Sequence, residues 1–493
     1  MVGPYRDLIK HSAIYGIGHV LSRSASFLLL PVYTSYLRPA DYGVIAILDL
    51  FAGILAILIG AGIASAVTRY HFEAKDETER NQVWWTGLTF VVFTGAVFLL
   101  PAMLSRNALA NWTLGPAVME GAFYYALILP TMWLNVPGHL LNEYLIVRKW
   151  SGVTVGVSFF RLALNIGLNV YFLVVLELGI TGILVGNLIT SAAVTLILAV
   201  IFSKSVQSYS FHYPLLRKLW KFGGPLIITA LLSFTMDQAD RYLLRIFLTM
   251  DQVGIYSLAY TVSQGMYTLF LLPFSMIYTV LMYEIADWPD AKQIYVRVFE
   301  YFTYGLGLLL LGVSLFSKKL LGLMVAQDYF PAAEIIPIVC LGFLLFSLHL
   351  HFTVPVLLAK KTIKILPVVS VAALTNIGAN LFLIPFFGTA GAAWATVITF
   401  GVYSFVGLWR YRRIDRFDYP FGKCAMVLVG MVVSYVGYDW LVHWQGDSVG
   451  IMALAIGIWF AWFIVLFGAF LRNLGTEYTW VGWKSLFPFK SAH

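Results

Sequence analysis

Apolar runs of about twenty residues, separated by short polar loops, recur along the whole chain; Val83–Leu104 and Ile451–Leu471 are two of them. A helix of about 20 apolar residues crosses a hydrocarbon core of ~30 Å, so this pattern predicts membrane spans. Fourteen helices are expected: 11–37, 41–68, 82–105, 115–145, 150–176, 179–203, 222–248, 252–283, 296–317, 330–358, 362–386, 388–409, 422–442 and 449–471. The first apolar segment, Ser12 to Leu37, has no small-residue cleavage site behind a short core. It reads as a retained span rather than a signal peptide.

Composition agrees with the pattern. Of 493 residues 60% are hydrophobic and 11% charged, where soluble domains carry about a quarter charged residues. The spans consume the length and leave no room for a separate soluble catalytic domain. With an even span count both termini share a side, and loop charge says which. The termini and even-numbered loops hold 24 of the 32 Lys and Arg, whereas the opposite loops hold 4, namely Arg38, Arg106, Lys318 and Lys319. The positive-inside rule therefore puts both termini in the cytoplasm. The net charge of +8 is explained by these loops and needs no nucleic-acid partner. The cluster Arg410–Arg416 reads as a topology anchor that also meets anionic lipid headgroups. Trp84, Trp85, Trp150 and Trp440 fall near span ends, as interfacial anchors do. Cys340 and Cys424 lie in or beside apolar segments, which argues against a disulfide. No zinc-type spacing, phosphate loop or nucleophile elbow occurs.

The chain also repeats itself. LRPADYGVIAIL (Leu37–Leu48) aligns with LTMDQVGIYSLA (Leu248–Ala259), pairing Gly43 with Gly254. NIGLN (Asn165–Asn169) matches NIGAN (Asn376–Asn380) at the same offset of 211, and LGITG (Leu178–Gly182) matches FGTAG (Phe387–Gly391) at 209. A repeat of six spans gives halves of equal orientation, related by an axis along the membrane normal. The expected architecture is an all-α polytopic membrane protein with two six-helix lobes, 1–213 and 214–420, around a central cavity. Two further helices follow in 421–493.

Four arginines fall inside spans: Arg23, Arg161, Arg241 and Arg245. Such a charge costs ~2.5–3.5 kcal/mol at mid-span and is normally matched by a partner or a wet cavity. His19 shares a helical face with Arg23. In SFTMDQADRYLLRIF (Ser233–Phe247) Asp237, Arg241 and Arg245 are spaced by four, with Asp240 adjoining. Acid before base at that spacing is the favourable order, so Asp237 is expected to neutralise Arg241. The charges either form a packing network or line a water-filled cavity, where planar guanidiniums suit phosphate. Asp49, Asp237 and Asp240 offset the arginines, which leaves room for coupling to H+ or Na+. Glu143 and His139, four apart, and His349 and His351 are weaker candidates. Pro130, Pro137, Pro337 and Pro355 kink two further spans.

SAIYGIGHVLSRSASFLLLPVYTSYLRPADYGVIAIL resembles the first two helices of Wzx-type polysaccharide flippases, members of the multidrug/oligosaccharidyl-lipid/polysaccharide (MOP) exporter superfamily. KFGGPLIITALLSFTMDQADRYLLRIFLTMDQVGIYSLAY is similar to their mid-chain segment, including the Asp240–Arg241 pair and the Val253–Tyr256 turn. This resemblance implies a transporter of the bacterial cytoplasmic membrane rather than an enzyme. Its substrate would be an oligosaccharide on undecaprenyl pyrophosphate, moved to the outer leaflet alongside a polysaccharide polymerase and a chain-length regulator. It also implies that Arg23 and the seventh-helix charges lie near the inter-lobe cavity. The alternative on the same scaffold is a cation-coupled multidrug antiporter. For the topology, Lys318→Cys is expected to react with an impermeant maleimide on intact cells, and Arg413→Cys only after lysis.

Overall fold

The structure, a computed structural model, describes residues 29–477 apart from 61, 207–208 and 446–448. Arg23, His19 and most of the first expected span lie outside the described residues. The remainder is all-α, with no strand among the described residues. Leu30–Tyr36 (α1) is the end of that first span. Pro39–Gly60 (α2) and Ile63–Glu73 (α3) replace the single helix expected over 41–68, because Gly62 between them adopts φ 84°, a conformation glycine takes without a Cβ penalty. Glu77–Leu104 (α4) starts at Asp76, whose side chain accepts from Glu79 N at 2.8 Å, a regular N-cap. Then come Arg106–Thr113 (α5), Gly121–Val147 (α6), Ser151–Val170 (α7, running on as a π-helical turn Tyr171–Val175) and Gly179–Ser205 (α8).

The second lobe follows the same order. Its elements are Tyr213–Phe247 (α9), Met250–Glu284 (α10, opened by a Thr249/Gln252 capping box), Ala291–Leu315 (α11), Ser317–Met324 (α12), Ala332–Phe352 (α13), Val354–Leu358 (α14) and Leu366–Tyr411 (α15). At 46 residues α15 would be ~69 Å long if straight, twice the thickness of a hydrocarbon core. Gly388, at φ 58° and ψ −134°, breaks it into two span-length arms. The chain folds back there: a Cβ on Gly391 would meet the carbonyl of Leu383, a residue ~12 Å away in a straight helix. The spans expected at 362–386 and 388–409 are these two arms. Phe421–Gln445 (α16) and Val449–Glu477 (α17) complete the chain and pack on α11, where Trp459 Nε1 donates to the Leu308 carbonyl at 3.0 Å. Among the described residues eleven helices are long and apolar enough to cross a membrane, with the two arms of α15 taken as one. The protein is a multi-pass membrane protein, and each expected span from the second onward has a helical counterpart.

The repeat is visible in the geometry. The short helices α5 and α12 are eight residues each, and Ser317 lies 211 residues after Arg106. Asn169 Nδ2 donates to the Asn165 carbonyl at 2.7 Å, and Asn380 Nδ2 to the Asn376 carbonyl at 2.9 Å. Most telling is the crossing of α2 with α10. A Cβ on Gly43 would strike the carbonyl of Met250, and a Cβ on Gly254 that of Pro39. Pro39 and Met250 are themselves 211 apart, so each helix touches the other with the same residues, as across a two-fold axis. Close backbone approach of this kind is how small residues join membrane helices.

At the basic end the lobes touch differently. Gly62 and Gly223 of α9 lie against each other's backbone, while residue 273, the repeat partner of Gly62, is Pro273 inside α10. The first turns of α9 pack on the N-terminal lobe: Leu219 joins the core of Ile63, Trp84 and Leu198, and Trp220 meets Phe90 at 5.6 Å between ring centroids. The helix that opens the second lobe thus begins against the first.

Gly254→Ala places a methyl group against a rigid carbonyl and is expected to cost on the order of 1–3 kcal/mol. Gly378→Ala, where nothing lies within 4 Å, should be neutral or stabilising. Thermal melting of the two purified variants checks the contrast.

Candidate substrate-binding site

Four helices of the N-terminal lobe surround a polar cavity of about 380 Å³. Helical spacing explains why they line it. Asp49, Ala52, Gly53 and Ala56 fall on one face of α2, and the three small residues leave room beside the carboxylate. Thr131 and Asn135 of α6, Arg161 and Asn165 of α7, and Asn187, Thr190 and Ser191 of α8 are likewise one turn apart within each helix. Phe234 of α9 covers the α2 face at Gly53, and Phe51 beside it packs on Tyr242 of α9 at 5.5 Å between centroids.

Asp49 and Arg161 both face this cavity, and neither forms an ion pair or hydrogen bond with a described residue. Charges at such depth ordinarily demand a partner or a wet cavity, so the polar space that both line is the feature that accommodates them. Asn165 Nδ2 donates to Asn187 Oδ1 at 2.8 Å. Two further oxygens, Asn135 Oδ1 and Thr190 Oγ1, are buried without a partner.

The charged stretch of α9 is built in the opposite way. Arg241 is only 6% exposed. Its Nη1 donates to Asp240 Oδ1 at 3.2 Å and to the Asp237 backbone carbonyl at 3.1 Å, and its guanidinium lies 4.4 Å from the centre of the Tyr260 ring. Asp240 also accepts from the Arg241 backbone N–H at 2.8 Å and from the Tyr256 hydroxyl, which stands 3.3 Å from Thr396 Oγ1. Asp237 was the expected partner of Arg241, but its carboxylate takes the Tyr260 hydroxyl and Gln238 Nε2 instead. The buried ion pair therefore falls to Asp240, which α10 holds in place through Tyr256. Neither Arg241 nor either aspartate lines the cavity.

Arg245 has a third task. Its Nε and Nη2 donate to the Leu114 carbonyl at 3.1 and 2.8 Å, clasping the second lobe to the segment after α5. Gly115, at φ 85°, makes room, since a Cβ there would collide with Arg245 Nη2. Glu143 and His139 lie on α6 beyond Asn135 and outside the cavity lining. His349 stacks on Tyr403 at 3.6 Å, and His351 sits among Phe274, Tyr278, Phe299 and Phe302. Of the expected site residues, the structure brings Asp49 and Arg161 together around one space, while Arg241, Asp237 and Asp240 form a separate buried network. Asn135, Asn187, Thr190 and Ser191 were not anticipated. The spacing of the last three was the available signal in an otherwise apolar helix.

A family model described as polysaccharide biosynthesis protein matches residues 8–281, more than half of the chain. The chain belongs to this polysaccharide biosynthesis family. It is 25% identical over 263 residues to a protein of the Lsg locus of Haemophilus influenzae, covering 51% of this chain and 60% of that one. A second Haemophilus influenzae membrane protein is 23% identical over 259 residues, covering 51% and 59%. The chain thus spans about three-fifths of the length of the curated relatives it matches. Among solved structures it resembles the lipid II flippase MurJ in an inward closed conformation, with TM-score 0.74, 13% identity, 94% of this chain and 99% of that one. It also resembles an inward-facing multidrug resistance MATE transporter of the MOP superfamily, with TM-score 0.67, 16% identity, 80% and 94%. The fold is that of the MOP superfamily, and the likeness to polysaccharide flippases read from the two helical segments is borne out.

Breaking a buried ion pair costs about 3–5 kcal/mol, so Arg241→Gln is expected to lower the melting temperature and yield of this polysaccharide biosynthesis protein, with partial recovery on adding Asp240→Asn. Arg161→Gln, which breaks no pair, should melt like the native protein.

Proposed function

We propose that the protein is a flippase that carries an oligosaccharide on undecaprenyl pyrophosphate from the cytoplasmic to the outer leaflet by alternating access. The observation that carries this reading is the polar mid-span cavity with an unpaired guanidinium, Arg161, in its wall. A planar guanidinium binds phosphate oxygens in pairs. Fold likeness to a lipid II flippase and membership of a polysaccharide biosynthesis family support a lipid-linked sugar as cargo. The lobes touch at both ends of the bundle, through Gly43 with Gly254 and through Gly62 with Gly223. Parting one contact while keeping the other opens the cavity to one side at a time.

In this reading both termini face the cytoplasm and the chain works in the bacterial inner membrane beside a polymerase and a chain-length regulator. Arg23 and His19, outside the described residues, are candidates to add to the phosphate seat. The unpaired Asp49 carboxylate favours a second reading, a cation-coupled antiporter, or coupling of the flippase to H+ or Na+.

Removing the protein from cells should cause a lipid-linked oligosaccharide to accumulate on the cytoplasmic leaflet. Arg161→Gln should cut export by about 10–100-fold, the worth of one charged hydrogen-bonded contact, with protein level unchanged. Normal export after removal, together with cation-dependent dye efflux from vesicles, would favour the antiporter.

A further inference from the structure

The repeat supplies an internal control for the cavity. At an offset of 211, or 209 beyond the turn that precedes α8, Asp49, Asn135, Arg161 and Ser191 correspond to Tyr260, Phe346, Ala372 and Phe400. In the second lobe these positions are packed: Tyr260 and Ala372 are fully buried, and Phe346 and Phe400 are 4.8 Å apart between ring centroids. At these four positions the same helix order is packed in the second lobe, whereas in the first it lines about 380 Å³ of polar space. The void is a property of the side chains and not of the scaffold.

The polar groups around it mix acceptors with donors. Asp49, Asn135 Oδ1 and the side-chain Oδ1 of Asn165 accept; Arg161 and Asn187 Nδ2 donate; Thr190 Oγ1, on a residue 4% exposed and unpartnered, does either. An isolated phosphate needs donors alone and would find three acceptors turned against it. A polyol supplies both, because every hydroxyl donates once and accepts twice. Ile128 and Leu184 give the cavity an apolar wall as well, suited to the C–H face of a sugar ring. The volume is at the small end of ligand sites, ~300–1,000 Å³.

We propose that this cavity is a glycan subsite, which seats on the first lobe the hydroxylated pyranose ring next to the pyrophosphate, while the second lobe acts as a closing wall. The proposal rests on the flippase reading for the identity of the cargo. Arg161 stands at the phosphate side of the ring, and Asp49, Asn135, Asn187 and Thr190 read its hydroxyls. Orienting groups of this kind discriminate strongly, because a sugar that lacks the matching hydroxyl leaves a buried polar atom unpaired.

The test uses the full chain in lipid nanodiscs, free of sugar-headed detergents. Thr190→Cys provides a thiol in the cavity, and the native Cys340 and Cys424 are buried. Three probes are compared for protection against a small maleimide: a panel of methyl hexopyranosides, a sugar-free polyprenyl pyrophosphate, and a polyprenyl pyrophosphoryl hexose. At least one methyl hexopyranoside and the glycosylated lipid should slow labelling by about tenfold, the worth of one or two polar contacts, and the sugar-free lipid should not. Equal protection by the sugar-free lipid, or none by any sugar, overturns the proposal. Should Thr190→Cys fail to fold, calorimetry of the unmodified protein with the same hexopyranosides decides. Absence of binding there refutes the subsite, whereas binding weakened about tenfold by Asn187→Leu supports it. Lipid-linked sugar accumulating in cells without the protein, with no sugar binding here, would sink the subsite and leave the flippase reading intact. Sugar binding without such accumulation would do the reverse.

Discussion

Two backbones in contact hold this architecture together. Where α2 crosses α10, Gly43 faces the Met250 carbonyl and Gly254 the Pro39 carbonyl. No other residue type allows that approach, because the first atom of any side chain would occupy the space of a carbonyl oxygen. The crossing is reciprocal, so it marks the pseudo-two-fold axis of the lobes and sets how their remaining helices meet. Lipid tails are as apolar as leucine, so close packing and polar contacts do what hydrophobicity does in water. Around the crossing lie contacts with no symmetry mates: Arg245 to the Leu114 carbonyl, and the Tyr329 hydroxyl to the Leu37 carbonyl at 3.1 Å.

Contacts of this type are compatible with motion. The directional hydrogen bonds to Leu37 and Leu114 add a fixed register to the apolar core that the lobes share. At the basic end Gly62 plays the matching part through a left-handed break between α2 and α3, and Arg69 lies 4.8 Å from the Phe222 ring. The interface between lobes thus joins close backbone approaches and a few polar or cation–π contacts to a shared apolar core, with the cavity inside the first lobe.

The charged groups inside the two lobes are arranged differently. In the second, Asp240, Arg241, Tyr256, Tyr260 and Asp237 satisfy one another, and the aromatic core closes around them. Those groups stiffen a wall. In the first, a carboxylate, a guanidinium and several amide and hydroxyl oxygens are left facing a shared space. Leaving such groups unpaired in a membrane protein costs stability, and evolution tolerates that cost chiefly where a ligand or water meets them.

The all-helical membrane fold, the order of the spans from the second onward, the break between 386 and 388 and the family were legible in the amino-acid sequence. Each depends on local apolarity, turn chemistry or residue order, which survive without knowledge of neighbours. The breaks at Gly62 and the early start of α9 at Tyr213 were not read, since a single glycine in an apolar run and a basic amphipathic lead-in carry weak local signals. The charges were legible as a set but not in their roles. Arg161 and Arg241 both read as arginines inside a span, and the acid four residues before Arg241 suggested the wrong partner. Only tertiary structure decided between them: helix rotation turns Arg161 into the cavity that Asp49 and the polar face of α8 also line, while Tyr256 and Tyr260 of α10 claim the aspartates beside Arg241. Side-chain partners across helices are set by packing, and packing is a property of the assembled bundle rather than of any stretch of chain.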